Sequence, residues 1–340
     1  MKKTLIIAEA GVNHNGDKDM AKALIKVAAE CGADVVKFQT FNADKLVSQS
    51  AKLADYQQQN LNDETSSQLE MLKKLELPLS WHFELKQFAS DLGISFCSTP
   101  FDEVALDFLC DLGIPFIKVP SGEITNKPFL ERIASKNLQV ILSTGMASMS
   151  EVSDAVNVFL DKGLKRDQLT VLHCNTEYPT PFEDVNLKAM LQFRDNLGLN
   201  YGYSDHTLGA EVAIAAVSLG ASVIEKHFTL DKNLPGPDHI ASLEPEELRS
   251  FIQSIRNTEL LISGTGIKEP SSSELKNKEI ARKSIHLIKG KKQGEIISFD
   301  DLEMKRPGNG ISPMEYDKVL NKIVTRDLSI GEQLKWTDLE

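Results

Sequence analysis

One pattern constrains this chain more than any other. Through the first two-thirds, an apolar, β-branched run ends in polar residues and is followed by a longer amphipathic stretch, often closed by glycine. Strand candidates are Thr4–Ala10, Asp34–Phe41, Ile94–Phe101, Pro115–Glu123, Gln139–Met146, Thr170–Tyr178, Asn200–Thr207 and Ser222–Phe228. Helical stretches such as Met20–Cys31, Glu103–Leu112, Ser148–Lys162, Asp184–Leu197 and Gly209–Leu219 lie between them. Gly32, Gly93, Gly113, Gly198 and Gly220 stand just past helices, where a C-cap favours left-handed backbone. Alternating strand and helix predict parallel strands with crossover helices, and eight units are the number that closes a (β/α)8 TIM barrel. A doubly wound sheet would want G-x-G-x-x-G after the first strand, and Ala10-Gly11-Val12-Asn13-His14-Asn15-Gly16 does not supply it.

The expected fold class is therefore α/β. A barrel spans 1–262, a polar linker with Gly264, Gly266, Pro270 and Ser271-Ser272-Ser273 spans 263–283, and a β-rich module spans 284–340. That module is marginal in size at roughly 55 residues. It contains an echo, Gly294-Glu295 through Asp301-Leu302-Glu303 against Gly331-Glu332 through Asp338-Leu339-Glu340, which predicts two similar turn-and-strand units.

Composition narrows the function. With 41% hydrophobic and 26% charged residues, a sizeable core is available and wholesale disorder is excluded. A net charge of −11 disfavours non-specific nucleic-acid binding but not a basic pocket for an anionic substrate. Four cysteines without C-x-x-C spacing suit a reducing compartment rather than a disulfide framework. The basic start meets Glu9 too early for a signal peptide, and no apolar run approaches the roughly 20 residues of a membrane span. The expectation is a cytoplasmic protein.

In a barrel of this kind the chemistry sits at the C-terminal strand ends. Those ends carry Glu9, Lys37 with Gln39, Ser98-Thr99, Lys118 with Ser121 and Glu123, Ser143-Thr144, His173 with Asn175, Ser204-Asp205-His206 and Glu225-Lys226-His227. A purely structural barrel needs no such series. Lys37 and Lys118 lie in apolar strands, where an unpaired ammonium is costly. Among Thr99, Ser121 and Ser143 they read as a cradle for phosphate or carboxylate, against a salt bridge to a strand-end Glu or a Schiff-base lysine as alternatives. His206 and His227 end adjacent strands and could share a divalent metal, or act singly in proton transfer. Glu9 and Glu123 could work as acid and base across the mouth, or merely neutralise the lysines. Asp238, in the turn Pro235-Gly236-Pro237-Asp238-His239, could accept hydrogen bonds from sugar hydroxyls or cap the turn. Lys305-Arg306-Pro307-Gly308-Asn309-Gly310 reads as a basic surface turn.

The motifs Ala8-Glu9-Ala10-Gly11-Val12-Asn13-His14-Asn15-Gly16, Val36-Lys37-Phe38-Gln39-Thr40, Lys118-Val119-Pro120-Ser121-Gly122-Glu123, Tyr178-Pro179-Thr180-Pro181, Ser204-Asp205-His206-Thr207 and Glu225-Lys226-His227-Phe228-Thr229 occur together and in order. In this the chain resembles the bacterial sialic acid synthases nearly end to end, and its last module resembles their antifreeze-like (SAF) domain. Leu320-Asn321-Lys322 departs from the family's usual Gly before Lys, and the loop 42–78 is too variable to carry any residue over. The resemblance implies condensation of phosphoenolpyruvate with an open-chain N-acetylated mannosamine, giving a nine-carbon 2-keto acid and phosphate. Lys37, Thr99, Lys118, Ser121, Ser143 and Asn175 would then hold phosphoenolpyruvate. Gln39, Phe101, Tyr178, Asp238 and Arg306 would hold the sugar, His206 and His227 would bind Mn²⁺ or Mg²⁺, and Glu9 and Glu123 would move protons. It also implies a domain-swapped homodimer, with Arg306 reaching the partner's sugar. The leading expectation is an N-acetylneuraminate synthase. The alternative is the same chemistry on 2,4-diacetamido-2,4,6-trideoxymannose, giving N,N'-diacetyllegionaminate, and a lysine-dependent aldolase stands behind both.

Overall fold

The structure, a computed structural model, describes residues 3–340 apart from 49, 52, 54–57 and 59–66. The chain divides into two compact units, Met1–Gly264 and Thr265–Glu340. In the first, eight strands follow in order: β1 (Leu5–Gly11), β2 (Val35–Thr40), β3 (Ser95–Pro100), β4 (Ile117–Val119), β5 (Val140–Ser143), β6 (Leu169–His173), β7 (Asn200–Asp205) and β8 (Val223–His227). All hydrogen-bonded pairs are parallel, in the order β3-β2-β1-β8-β7-β6-β5-β4. β3 and β4 lie side by side and close the ring, the Cys97 thiol reaching the Phe116 carbonyl at 3.5 Å across that seam. This is the (β/α)8 barrel that the alternation predicts.

Local chemistry sets the crossovers. The helix Lys18–Cys31 begins where Asp17 accepts from the Met20 amide and ends at Gly32, with φ +87°. Its buried stripe of Ala21, Leu24, Ile25, Ala28 and Cys31 has the spacing of one helical face. The helix Met149–Asp161 opens on a reciprocal capping box between Ser148 and Glu151.

Three boundaries differ from the sequence-based expectation. β4 is only three residues long, because Pro120 cannot donate to the ladder, and Ser121–Glu123 turns into a 3₁₀ helix. The stretch 184–197 is split by Asn186, whose φ is +42°; 3₁₀ turns flank it at Phe182–Asp184 and Leu187–Met190, and a short helix, Leu191–Leu197, follows. The polar stretch 263–283 contains a ten-residue helix, Ser272–Ala281, started by a Ser271/Glu274 capping box.

In the second unit, β9 (Ser284–Leu287) pairs antiparallel with β10 (Leu302–Lys305) over a core that includes Ile285, Leu287, Ile297, Val324 and Leu334. The internal echo is structural. Each half has a positive-φ glycine, Gly294 or Gly331, followed by a one-turn 3₁₀ helix, Phe299–Asp301 or Trp336–Asp338. Each closing aspartate is buried and accepts the amide three residues back, from Ser298 at 2.8 Å and from Lys335 at 3.0 Å. Each also meets a base: Lys291 and Lys289 lie 2.6 and 2.9 Å from Asp301, and Arg326 Nε lies 2.9 Å from Asp338. At the departure from the family pattern, Asn321 holds φ +64°, a conformation Asn tolerates better than most residues.

Candidate active site

Because side chains alternate along a strand, every second residue at a strand end enters the barrel. These are Glu9 from β1, Lys37 and Gln39 from β2, Thr99 from β3, Lys118 from β4, Ser143 from β5, Ser204 from β7, and Glu225 and His227 from β8. Together with Ser121, Tyr178, His206 and Asp238 they line a cavity of about 640 Å³. The parallel registers place Glu9 beside both Lys37 and His227.

The floor is a buried group of two ammoniums and two carboxylates. Lys37 Nζ lies 2.5 Å from Glu9 and 3.6 Å from Glu225, and Lys118 Nζ lies 3.5 Å from Glu225. Lys37 also donates to Thr99 Oγ1 at 3.0 Å, and Lys118 to Ser143 Oγ at 2.7 Å. Burial works against every charge here, and geometry decides which survive. Burial pushes Glu225 up, but Lys118 and Lys37 outweigh it and hold this carboxyl below the usual range; Ser204 Oγ donates to it at 3.0 Å. Glu9 goes the other way, since burial raises its pKa more than Lys37 lowers it, so it is the carboxyl most ready to hold a proton. Burial lowers the pKa of Lys118, with Glu225 only partly compensating, whereas Glu225 and Glu9 together keep Lys37 above its ordinary value despite burial. Lys118 is therefore the ammonium most in need of a further anion.

A bulge in β1 brings the backbone itself to the cavity. The register with β2 slips between Glu9 and Gly11, and Gly11 has φ +53°. A Cβ there would stand 3.3 Å from Glu9 Oε1, 3.3 Å from His227 Cε1 and 3.4 Å from Gln39 Nε2. Gly11→Ala thus combines left-handed strain of about 1–2 kcal/mol with pressure on three cavity side chains. It is expected to reduce turnover by about tenfold or more while leaving a folded barrel, measured as steady-state rate beside a thermal melt. Unchanged turnover would mean the close approach has no bearing on the site.

His206 and His227 stand with ring centroids 5.6 Å apart, and Tyr178 stacks on His206 at 4.1 Å. The His206 Nδ1–H donates to the Asn175 carbonyl at 2.5 Å, which leaves Nε2 as the unprotonated nitrogen, 3.3 Å from the Ser204 hydroxyl. Burial holds His206 to a pKa of about 4 and His227 well below the ordinary value, so both rings are neutral, the form a metal requires. Among the described residues the buried His227 Nδ1 has no hydrogen-bond partner; it lies 4.0 Å from Asp238 Oδ2. Two neutral imidazoles beside an acid fit a weakly held divalent cation that keeps positions for water and substrate. Among the described residues no group of three or more metal-ligating side chains forms.

The cavity brings together Glu9, Lys37, Gln39, Thr99, Phe101, Lys118, Ser121, Ser143, Tyr178, His206, His227 and Asp238. Two expected residues of the barrel unit, Glu123 and Asn175, lie elsewhere. Glu123 is carried off the strand end by the 3₁₀ turn after Pro120, and its carboxylate accepts from Asn126 Nδ2 at 2.6 Å. The Asn175 side chain accepts from the Glu177 amide at 2.7 Å and borders a neighbouring cavity, while Cys174 and Thr176 face the main one. Arg306 belongs to the second unit, where its Nε donates to the Ala281 carbonyl at 2.9 Å. The second carboxylate of the floor is Glu225. Strand parity identifies it, since Glu225 and His227 must point inward together while Lys226 points outward to Asp205, 3.0 Å away.

Comparison with known proteins agrees with this geometry. The profile of the NeuB family matches residues 24–268, and that of the SAF domain matches 282–340. The N,N'-diacetyllegionaminic acid synthase of Campylobacter jejuni is 54% identical over 336 residues, covering 98% of this chain and 100% of that protein. The enzyme of the same name from Legionella pneumophila is 50% identical over 338 residues, covering 98% of this chain and 94% of that protein. Among solved structures, the N-acetylneuraminic acid synthetase of Leptospira borgpetersenii superposes with TM-score 0.71 at 34% identity, over 81% of this chain and 90% of that one. The two legionaminic acid synthases, at the higher identities, favour the legionaminate alternative over the N-acetylneuraminate expectation. The chain belongs to the NeuB family of sialic and legionaminic acid synthases, with a C-terminal SAF domain.

Proposed function

We propose that this protein condenses phosphoenolpyruvate with 2,4-diacetamido-2,4,6-trideoxymannose and water, giving N,N'-diacetyllegionaminate and phosphate. The observation that carries the substrate is the near full-length similarity, at 54% and 50% identity, to two enzymes named for that product. Support for the chemistry comes from the buried floor, where Lys37 and Lys118 stand among Thr99, Ser121 and Ser143. Two ammoniums and three hydroxyls suit the carboxylate and phosphate of an enol phosphate.

Held there, C3 of the enol attacks the aldehyde carbon of the open-chain sugar. The aldehyde oxygen takes up a proton, C2 becomes electron-poor and water adds to it, and the adduct expels phosphate by C–O cleavage as the new hydroxyl loses its proton. Glu9, the carboxyl most ready to exchange a proton, handles the water, and Glu225 stays ionised beside the developing positive charge. Mn²⁺ or Mg²⁺ on His206 and His227 would supply Lewis-acid polarisation of the aldehyde. Gln39, Tyr178 and Asp238 position the sugar. The reading retains a homodimer in which Arg306 of one chain serves the sugar site of the other.

N-acetylmannosamine is the second reading, favoured by the superposition on the Leptospira synthetase. Phosphate release and product mass, followed with either sugar and with an EDTA control, decide between them. Metal-dependent turnover with about tenfold or greater preference in kcat/KM for the diacetamido sugar is expected. Preference for N-acetylmannosamine would overturn the substrate assignment, and turnover that survives EDTA would overturn the metal.

A further inference from the structure

Between β2 and β3, ahead of the helix His82–Asp91 that leads into β3, stands the helix Gln68–Leu75. Gln68, Met71, Leu72 and Leu75 line the cavity, at the i, i+3, i+4, i+7 spacing of a single helical face. Met71 and Leu75 are buried in a cluster with Val12, Phe41 and Leu53, against which Leu72 and Phe101 also pack. Val12, Phe41 and Phe101 each directly follow the end of a barrel strand, so this cluster stands above the strand ends, at the mouth. The charged groups Lys37, Lys118, Glu9 and Glu225 occupy the floor. The cavity is thus ionic at one end and hydrocarbon on one side of the other.

A sugar that reacts at its aldehyde must present C1 to the floor, and its chain then carries C6 toward the mouth. A hydroxymethyl group against Met71, Leu72 and Leu75 would exchange water for hydrocarbon, the polar member of that helix face being Gln68. A methyl group would instead bury apolar area on apolar area. We propose that Met71, Leu72 and Leu75 form a specificity wall that selects a 6-deoxy sugar over its 6-hydroxy counterpart. This inference rests on the function proposed above and assigns to one helix face the recognition of one substituent.

N-acetylmannosamine and its 6-deoxy analogue differ only at C6, so the ratio of their kcat/KM values isolates the wall. Leu72 is the residue to change, because it faces the cavity while only packing against the edge of the buried cluster. The wild-type protein is expected to prefer the 6-deoxy sugar by about tenfold or more. Leu72→Gln should cut that ratio by about tenfold, and Leu72→Met, which keeps length and apolarity, should retain it. A wild-type ratio near one, or a Leu72→Gln variant in which both sugars fall in step, would overturn the proposal, the second outcome marking Leu72 as merely structural. The parent reading is tested separately by comparing the diacetamido sugar with 6-deoxy-N-acetylmannosamine, which differ only at C4. Loss of preference there sinks the legionaminate assignment without touching the C6 ratio. No turnover of any of the three sugars would overturn both.

Discussion

Lys118→Met is expected to lower kcat/KM for phosphoenolpyruvate by about 10²–10⁴-fold while leaving the stability of the free protein nearly unchanged. The two effects separate because Lys118 is poorly satisfied when no substrate is present. Its closest partner is the neutral Ser143 hydroxyl at 2.7 Å, and Glu225 is 3.5 Å away. Burial already lowers its pKa, so its charge is a cost to the fold that an arriving anion would repay. Met fills a similar volume without that cost, and Glu225 keeps Lys37 as counter-ion at 3.6 Å. Removing a buried ammonium from a dianionic ligand costs about 3–5 kcal/mol of interaction, which sets the size of the kinetic effect. Steady-state kinetics in phosphoenolpyruvate, paired with a thermal melt, measure both. A kinetic change under tenfold would remove Lys118 from the anion cradle, and a large loss of stability would make it a structural residue.

Glu9→Gln is expected to act on turnover instead. Gln keeps the shape but cannot carry a proton, so kcat should fall by about 10²–10⁴-fold if Glu9 is the group that handles the attacking water. Affinity for phosphoenolpyruvate should hold or tighten, because one negative charge leaves a site that binds an anion and Lys37 still has Glu225 nearby. Isothermal titration with phosphoenolpyruvate, beside kcat, separates the roles. Intact kcat with weakened binding would mean that Glu9 only neutralises Lys37 at 2.5 Å.

Most of the barrel is legible in the sequence, because glycine C-caps and β-branched runs are local signals that agree with the tertiary structure. The lysines and histidines are legible for the same reason: Lys37 and Lys118 interrupt apolar strands, and His206 and His227 end strands that are neighbours in the sheet. Where regular structure stops, so does the reading. Glu123 counts as a strand-end residue only if β4 continues past Pro120, and it does not. Asn175 lies beyond the end of β6 at His173, so inward and outward parity no longer applies to it. Glu225 was within reach of parity but stands in the triplet Glu225-Lys226-His227, whose middle member carries the opposite charge and points the other way. The apolar wall of Gln68–Leu75 has no sequence signal of this kind, since its helical spacing shows that a face exists but not that it closes over the mouth of a barrel.

The central claim is that phosphoenolpyruvate reacts in this cavity by condensation with an open-chain sugar and loss of phosphate through the C–O bond. The most direct test uses phosphoenolpyruvate carrying ¹⁸O at the oxygen that bridges C2 and phosphorus, incubated with 2,4-diacetamido-2,4,6-trideoxymannose and Mn²⁺. The account predicts that the released phosphate retains the label and that the keto acid takes its C2 oxygen from water. Unlabelled phosphate, with the ¹⁸O in the keto acid, would mean P–O cleavage and would contradict it.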